Sequence, residues 1–118
     1  DYLEVFNDFG AALTLMGTVI SRQQETTAIV DMGLKSISVD RGVATMVSPA
    51  NAEVMGHSEE HTKIALNDAE ARSLKVGDKV SVRPIHGDTT INLHEYYFGI
   101  RDGKLEQAIP IPGRGKFR

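Results

Sequence analysis

Turn-forming residues cut this chain into short runs rich in β-branched and apolar side chains, and that punctuation constrains the fold more than any other feature. The run "ALTLMGTVIS" is followed by the polar "RQQET", and "TTAIVDMGLKSISVD" alternates at Ile37, Val39 and their neighbours, so the two read as a hairpin. "VATMVS" and "AEVMG" come next, split by the turn-prone "PAN". In "HSEEHTKIALNDAEARSL" two signals compete. Glu, Lys, Ala and Leu favour a helix, whereas Thr62, Ile64 and Leu66 alternate with His61, Lys63 and Ala65 as in a strand. Asp68 is placed to cap a single helical turn that Gly77 ends, and Val80 and Val82 resume a strand that Pro84 stops. Asp88 opens a second capped turn in "IHGDTTINLH", and Asp102-Gly103 joins "YYFGI" to "KLEQAIPIP" as a hairpin. The series predicts an all-β domain: a small antiparallel, partly closed β-barrel with one or two short helical turns.

Composition narrows the function classes. The 118 residues form one domain, with no repeat or internal linker, able to bury roughly two-thirds of its unfolded surface. A hydrophobic fraction of 41% and a charged fraction of 25% exclude a disordered segment. With no cysteine there is no disulfide, no thiolate–zinc site, no iron–sulfur cluster and no thiol nucleophile. A net charge of −3 and the absence of Trp argue against nucleic-acid binding. No apolar run approaches the roughly twenty residues of a membrane span, and the best stretch, Ala11 to Ile20, is broken by Thr14, Gly17 and Thr18. That stretch lacks the basic flank and cleavage site of a signal peptide, so a cytoplasmic location is expected. Because the chain opens at Asp1 rather than Met, a piece of a longer polypeptide is expected.

Several side chains are candidates for chemistry. His57 and His61 bracket "SEE" in an H-x-x-E-H string, which binds zinc only on a helix; Gly56, Thr62 and Ile64 favour instead a polar turn entering a strand. His86 and Asp88 stand two apart where the chain leaves a strand, so in extended backbone both point the same way and can reach one divalent ion. The bland alternative makes Asp88 a helix cap and His86 an exposed loop residue. His94 is a candidate partner orienting a ligand histidine, or a surface residue at the end of the turn. Lys35 has the chemistry of a Schiff-base lysine, although solvent-facing lysines on strands are common. Arg114, Lys116 and Arg118 could meet a phosphate or form a solvated tail.

Taken in order, "IVDMGLKSIS", "SEEHTKIAL", "LKVGDKVSVRPIHGDTTINLHEYYFGIRDGKL" and the closing "GRG" resemble the C-terminal domain of D-threonine aldolase and D-serine dehydratase-like proteins. The resemblance runs from about Phe9 to Gly115, and its most specific piece is "RPIHGDTTINLH". Relatives often read Glu-His-Gly where this chain has Glu60-His61-Thr62. The resemblance implies a pyridoxal-phosphate enzyme of the alanine-racemase-like class. Its N-terminal α/β barrel carries the cofactor lysine, and its β-domain supplies a divalent-metal site. It puts the metal ligands at His86 and Asp88, and no catalytic or cofactor-binding residue falls in this chain; apart from the resemblance, His61 and His94 are candidates behind that pair. It further implies Mn²⁺ or Zn²⁺, with Mg²⁺ possible, a D-hydroxy amino acid as substrate and a homodimer. The carboxylate in the ligand pair is similar to the aldolase branch, whereas dehydratases typically carry a thiolate there. A dehydratase, or a non-catalytic barrel for subunit contacts, is the alternative.

Overall fold

Alternation decides most of the sheet. A computed structural model describes residue 8 and residues 10–116. Its strands are β1 (Leu15–Gln24), β2 (Thr27–Val30), β3 (Thr45–Ser48), β4 (Ala52–His57), β5 (Thr62–Leu66), β6 (Lys79–Arg83), β7 (Tyr96–Arg101) and β8 (Lys104–Pro110); two helical turns are α1 (Ala69–Arg72) and α2 (Gly87–Ile91). In the segment where helix and strand signals compete, Thr62, Ile64 and Leu66 are all buried and Lys63 is exposed. Only an extended backbone puts those three on one face, and burying them outweighs the helix propensity of their neighbours.

Six strands form one antiparallel sheet in the order β3-β6-β1-β2-β5-β4. Leu15 pairs with Val82 and Thr27 with Ala65, so the central β1 and β2 are flanked by strands from the second half of the chain. The two edge strands, β3 and β4, approach each other and nearly close the barrel. Inside lie Val19, Ala28, Val30, Met46, Val54, Ile64, Leu66, Val80 and Val82, joined by Met32, Ile37 and Ala71 from the connections. Each fully buried Val, Ile or Leu contributes about 1.5–3 kcal/mol. The Asp68 carboxylate caps α1 by accepting the Ala71 N–H at 2.8 Å, as expected.

Two expectations are corrected. The strand from Thr27 ends at Val30, and residues 31–44 form a loop rather than continuing the alternation through Ile37 and Val39. There the Gly33 carbonyl accepts from both Ser36 N–H (2.8 Å) and Ile37 N–H (2.9 Å), which turns the chain. Ile37 is still fully buried, whereas Val39 is 37% exposed. Asp88 does not cap α2. His86 holds the cap position without a side-chain cap bond, and Asp88 lies in the first turn, where a carboxylate is favoured by the helix dipole.

Strands β7 and β8 form a separate two-stranded sheet. Its turn has Asp102 at φ 50° and Gly103 at φ 73°, the pair of left-handed residues that the Asp-Gly signal calls for. The register Tyr96↔Pro110, Phe98↔Ala108 and Ile100↔Leu105 gathers six exposed apolar side chains onto one face. No helix among the described residues is long and apolar enough to cross a membrane.

Candidate metal centre

The site begins where β6 ends. Pro84 cannot continue the strand ladder, His86 remains extended (φ −129°, ψ 111°), and the chain then coils into α2. This junction turns His86 and Asp88 toward each other: His86 Nε2 lies 3.7 Å from Asp88 Oδ2. The imidazole is 24% exposed and the carboxylate 93%. Such a gap accommodates one cation at about 2.1 Å from each donor.

The other face of His86 is engaged by the loop between β2 and β3. His86 Nδ1 is 2.6 Å from Asp40 Oδ2. Asp40 also accepts from Ser38 Oγ at 2.7 Å and from Thr89 Oγ1 at 3.1 Å. Those bonds, from Ser38 and then His86, hold the Asp40 carboxyl down at about 2, so it is ionised and can only accept. In the neutral ring of His86 the proton therefore sits on Nδ1, leaving the Nε2 lone pair beside Asp88. The loop and α2 are fastened twice more. Ser38 N–H donates to the buried Thr90 Oγ1 at 3.1 Å, and His94 Nε2–H donates to the Ser36 carbonyl at 2.7 Å.

An imidazole nitrogen and a carboxylate oxygen suit a divalent ion of intermediate hardness, and two protein donors leave coordination positions open. Among the described residues no group of three or more His, Asp or Glu side chains is placed to hold a metal ion, so His86 and Asp88 offer two donors and no more.

Other sequence candidates separate from this pair. His94 approaches the loop carrying Asp40 rather than His86 itself. His61 is exposed, in the turn that enters β5. The H-x-x-E-H string spans the end of β4, a turn and the start of β5, so it presents no helical pair of imidazoles. His57 instead donates from Nδ1 to Thr62 Oγ1 at 2.6 Å, and that hydroxyl donates onward to the Met32 carbonyl at 2.7 Å. Its Nε2 is buried without a partner, and burial lowers its pKa. Lys35 pairs with Glu60, which raises the lysine pKa; a Schiff-base lysine needs the opposite shift. Arg114 meets Glu95 at 3.4 Å, and Arg118 lies outside the described residues.

Two pieces of the family resemblance, "DMGLK" within "IVDMGLKSIS" and "EEH" within "SEEHTKIAL", bind each other. Leu34 N–H donates to Ser58 O and Lys35 N–H to Glu59 O, both at 2.9 Å, and a Cβ on Gly33 would lie 2.5 Å from His61 N. The "D-x-G-x-K" loop thus closes against the "EEH" turn, and only glycine permits the approach. Sequence reasoning missed Asp40, Ser38, Thr89 and Thr90. Asp40 lies 46 residues from its imidazole partner, and no local pattern marks it.

Comparison with known proteins gives three results. A family profile described as a putative serine dehydratase domain matches residues 12–100. A 3-hydroxy-D-aspartate aldolase of Paracoccus denitrificans is 37% identical over 105 residues, covering 89% of this chain and 26% of the aldolase; an uncharacterized protein of Mycobacterium tuberculosis is 31% identical over 114 residues, covering 89% of this chain and 85% of that protein. The crystal structure of D-threonine aldolase from Filomicrobium marinum superposes with a TM-score of 0.86 at 26% identity, covering 94% of this chain and 30% of the aldolase. The chain thus spans about a quarter of the length of the aldolases it matches.

Proposed function

Because the chain belongs to the putative serine dehydratase domain family, we propose that it is the C-terminal metal-binding β-domain of a D-threonine aldolase-like lyase. The parent enzyme cleaves D-3-hydroxy-2-amino acids to glycine and an aldehyde. The observation that carries this reading is the approach of His86 Nε2 to Asp88 Oδ2 at 3.7 Å, with Nδ1 of the same ring held by a carboxylate. The aldolase names of relatives support it.

His86 and Asp88 would hold the divalent ion, Mn²⁺ or Zn²⁺ by donor chemistry, with Mg²⁺ the harder option. When bound, such an ion acidifies a coordinated hydroxyl, and pyridoxal phosphate on the α/β barrel withdraws electrons from the neighbouring carbon. This chain's own part is positional. His86 offers a lone pair fixed in direction, Asp88 offers a solvent-facing carboxylate, and the two leave room for a substrate oxygen. The N-terminal α/β barrel contributes the cofactor lysine and the base. The exposed apolar face of β7–β8, with Phe98 at 63% and Ile100 at 62%, is suited to covering by the barrel of a second subunit in a homodimer.

A second reading is favoured by the mycobacterial relative, which is close to this chain in size. In it, the domain is a non-catalytic barrel for subunit contacts. Titration of Mn²⁺ and Zn²⁺ into the parent chain, His86→Ala and Asp88→Ala separates the two readings. The aldolase reading requires both variants to lose affinity by at least about tenfold. Equal affinity in all three removes the pair from the mechanism. The full-length enzyme supplied with D-threonine then gives glycine and an aldehyde. Ammonia and a keto acid from D-serine or D-3-hydroxyaspartate would mark a dehydratase instead.

A further inference from the structure

We infer that Asp40 is a positioning residue that aims His86 at the cation, and this inference rests on the metal-site reading above. The geometry requires three things of such a residue, and Asp40 meets each. It must grip the nitrogen that does not bind metal; Asp40 Oδ2 lies 2.6 Å from His86 Nδ1, whereas Nε2 faces Asp88. It must itself be held; Ser38 Oγ at 2.7 Å and Thr89 Oγ1 at 3.1 Å both bond to Oδ1, the oxygen that His86 does not use. Its support must be anchored to the ligand-bearing element; Ser38 N–H bonds to the buried Thr90 Oγ1 of α2, and His94 Nε2–H bonds to Ser36 O on the same loop.

The consequence is a fixed tautomer. Without an acceptor at Nδ1, the ring proton of a neutral imidazole is free to occupy Nε2, which then cannot coordinate. With the acceptor present, the lone pair stands ready at Nε2, and the negative charge behind the ring raises its basicity as a ligand. Ser38, Asp40, Thr89 and Thr90 therefore form one support, connecting the β2–β3 loop to the turn that carries both ligands.

The test uses the chain with Asp40→Ala, Asp40→Asn, Thr89→Val and His86→Ala, each checked for a native amide spectrum. Long-range proton–nitrogen spectra of the metal-free protein, above the histidine titration range, report the His86 tautomer directly. The parent has the proton on Nδ1; in Asp40→Ala it shifts toward Nε2, and Asp40→Asn, which retains an acceptor oxygen, restores it. Zn²⁺ alone, titrated calorimetrically, binds Asp40→Ala about 10–100-fold more weakly and Asp40→Asn at an intermediate strength. If Asp40→Ala does not fold, Thr89→Val must weaken Zn²⁺ in the same direction by about threefold. An unchanged tautomer, or unchanged Zn²⁺ affinity where His86→Ala has lost it, overturns the role of Asp40 and leaves the metal site standing. Unchanged affinity in His86→Ala overturns the site and this inference together.

Discussion

Replacing Gly33 by alanine tests how tightly the loop behind the site is bound to its neighbour. A Cβ at this position would lie 2.5 Å from His61 N and 2.6 Å from Glu60 N, and closest of all to Ser58 O. All three are backbone atoms, so no side chain can swing aside. Ordinary contact requires the 58–61 turn to retreat by about 1 Å from those positions. That retreat pulls apart the two bonds across the contact, Leu34 N–H to Ser58 O and Lys35 N–H to Glu59 O. Their loss costs about 1 kcal/mol each and the overpacking about 1–3 kcal/mol, a total of about 3–5 kcal/mol. Against a domain stability of about 5–15 kcal/mol, this lowers the melting temperature by about 12–20 °C. Thermal unfolding followed by far-ultraviolet circular dichroism measures it. Gly56→Ala is the control, since nothing lies within 4 Å of its added Cβ; it should change stability by no more than about 1 kcal/mol. A Gly33→Ala protein melting within about 4 °C of the parent would refute the packing argument.

Thr62→Val removes the hydroxyl that links His57 Nδ1–H to the Met32 carbonyl while preserving volume. It should lower stability by about 2–4 kcal/mol and the urea midpoint by about 1–2 M, with Thr62→Ser recovering most of the loss; an unchanged midpoint in Thr62→Val contradicts the linkage. The His57 pKa is depressed by burial, so below its ordinary value of 6.5 the unfolded chain takes up a proton that the folded chain resists. Its stabilising contribution is therefore complete above about pH 6.5 and is lost as pH falls from there toward the depressed value. Urea midpoints at about pH 7.5 and about pH 5.5 should differ less in His57→Gln than in the parent, and equal differences would show that His57 is not responsible.

What could be read from the sequence was what depends on neighbours. Alternation in β5 and β6, the Asp68 cap and the Asp102-Gly103 turn all involve residues a few positions apart, and each appears in the fold as expected. His86 and Asp88 stood out by their spacing of two, but the extended backbone assumed for both holds only for His86, since Asp88 is already helical. The loop after Val30 was not, because its turn depends on Gly33 pressing against a turn formed by residues 58–61. Asp40 was hidden for a similar reason: aspartate before Arg41-Gly42 looks like any surface turn until His86 is brought beside it. The cap position of α2 misled for a local reason. Asp88 has the right chemistry for a cap, but Gly87 is already helical and moves the boundary back to His86.

The strand order also sets a schedule. β1 with β2 and β4 with β5 are hairpins of neighbouring segments and can zip early, whereas β6 must find β3 about a third of the chain away and β1 more than half of it away. His86 and Asp88 follow directly on β6, and Asp40 directly precedes the segment leading to β3. If His86 and Asp88 hold an ion as proposed, a polypeptide still emerging from the ribosome would lack the chelating pair, and capture of an ion would report that β6 has docked between β1 and β3.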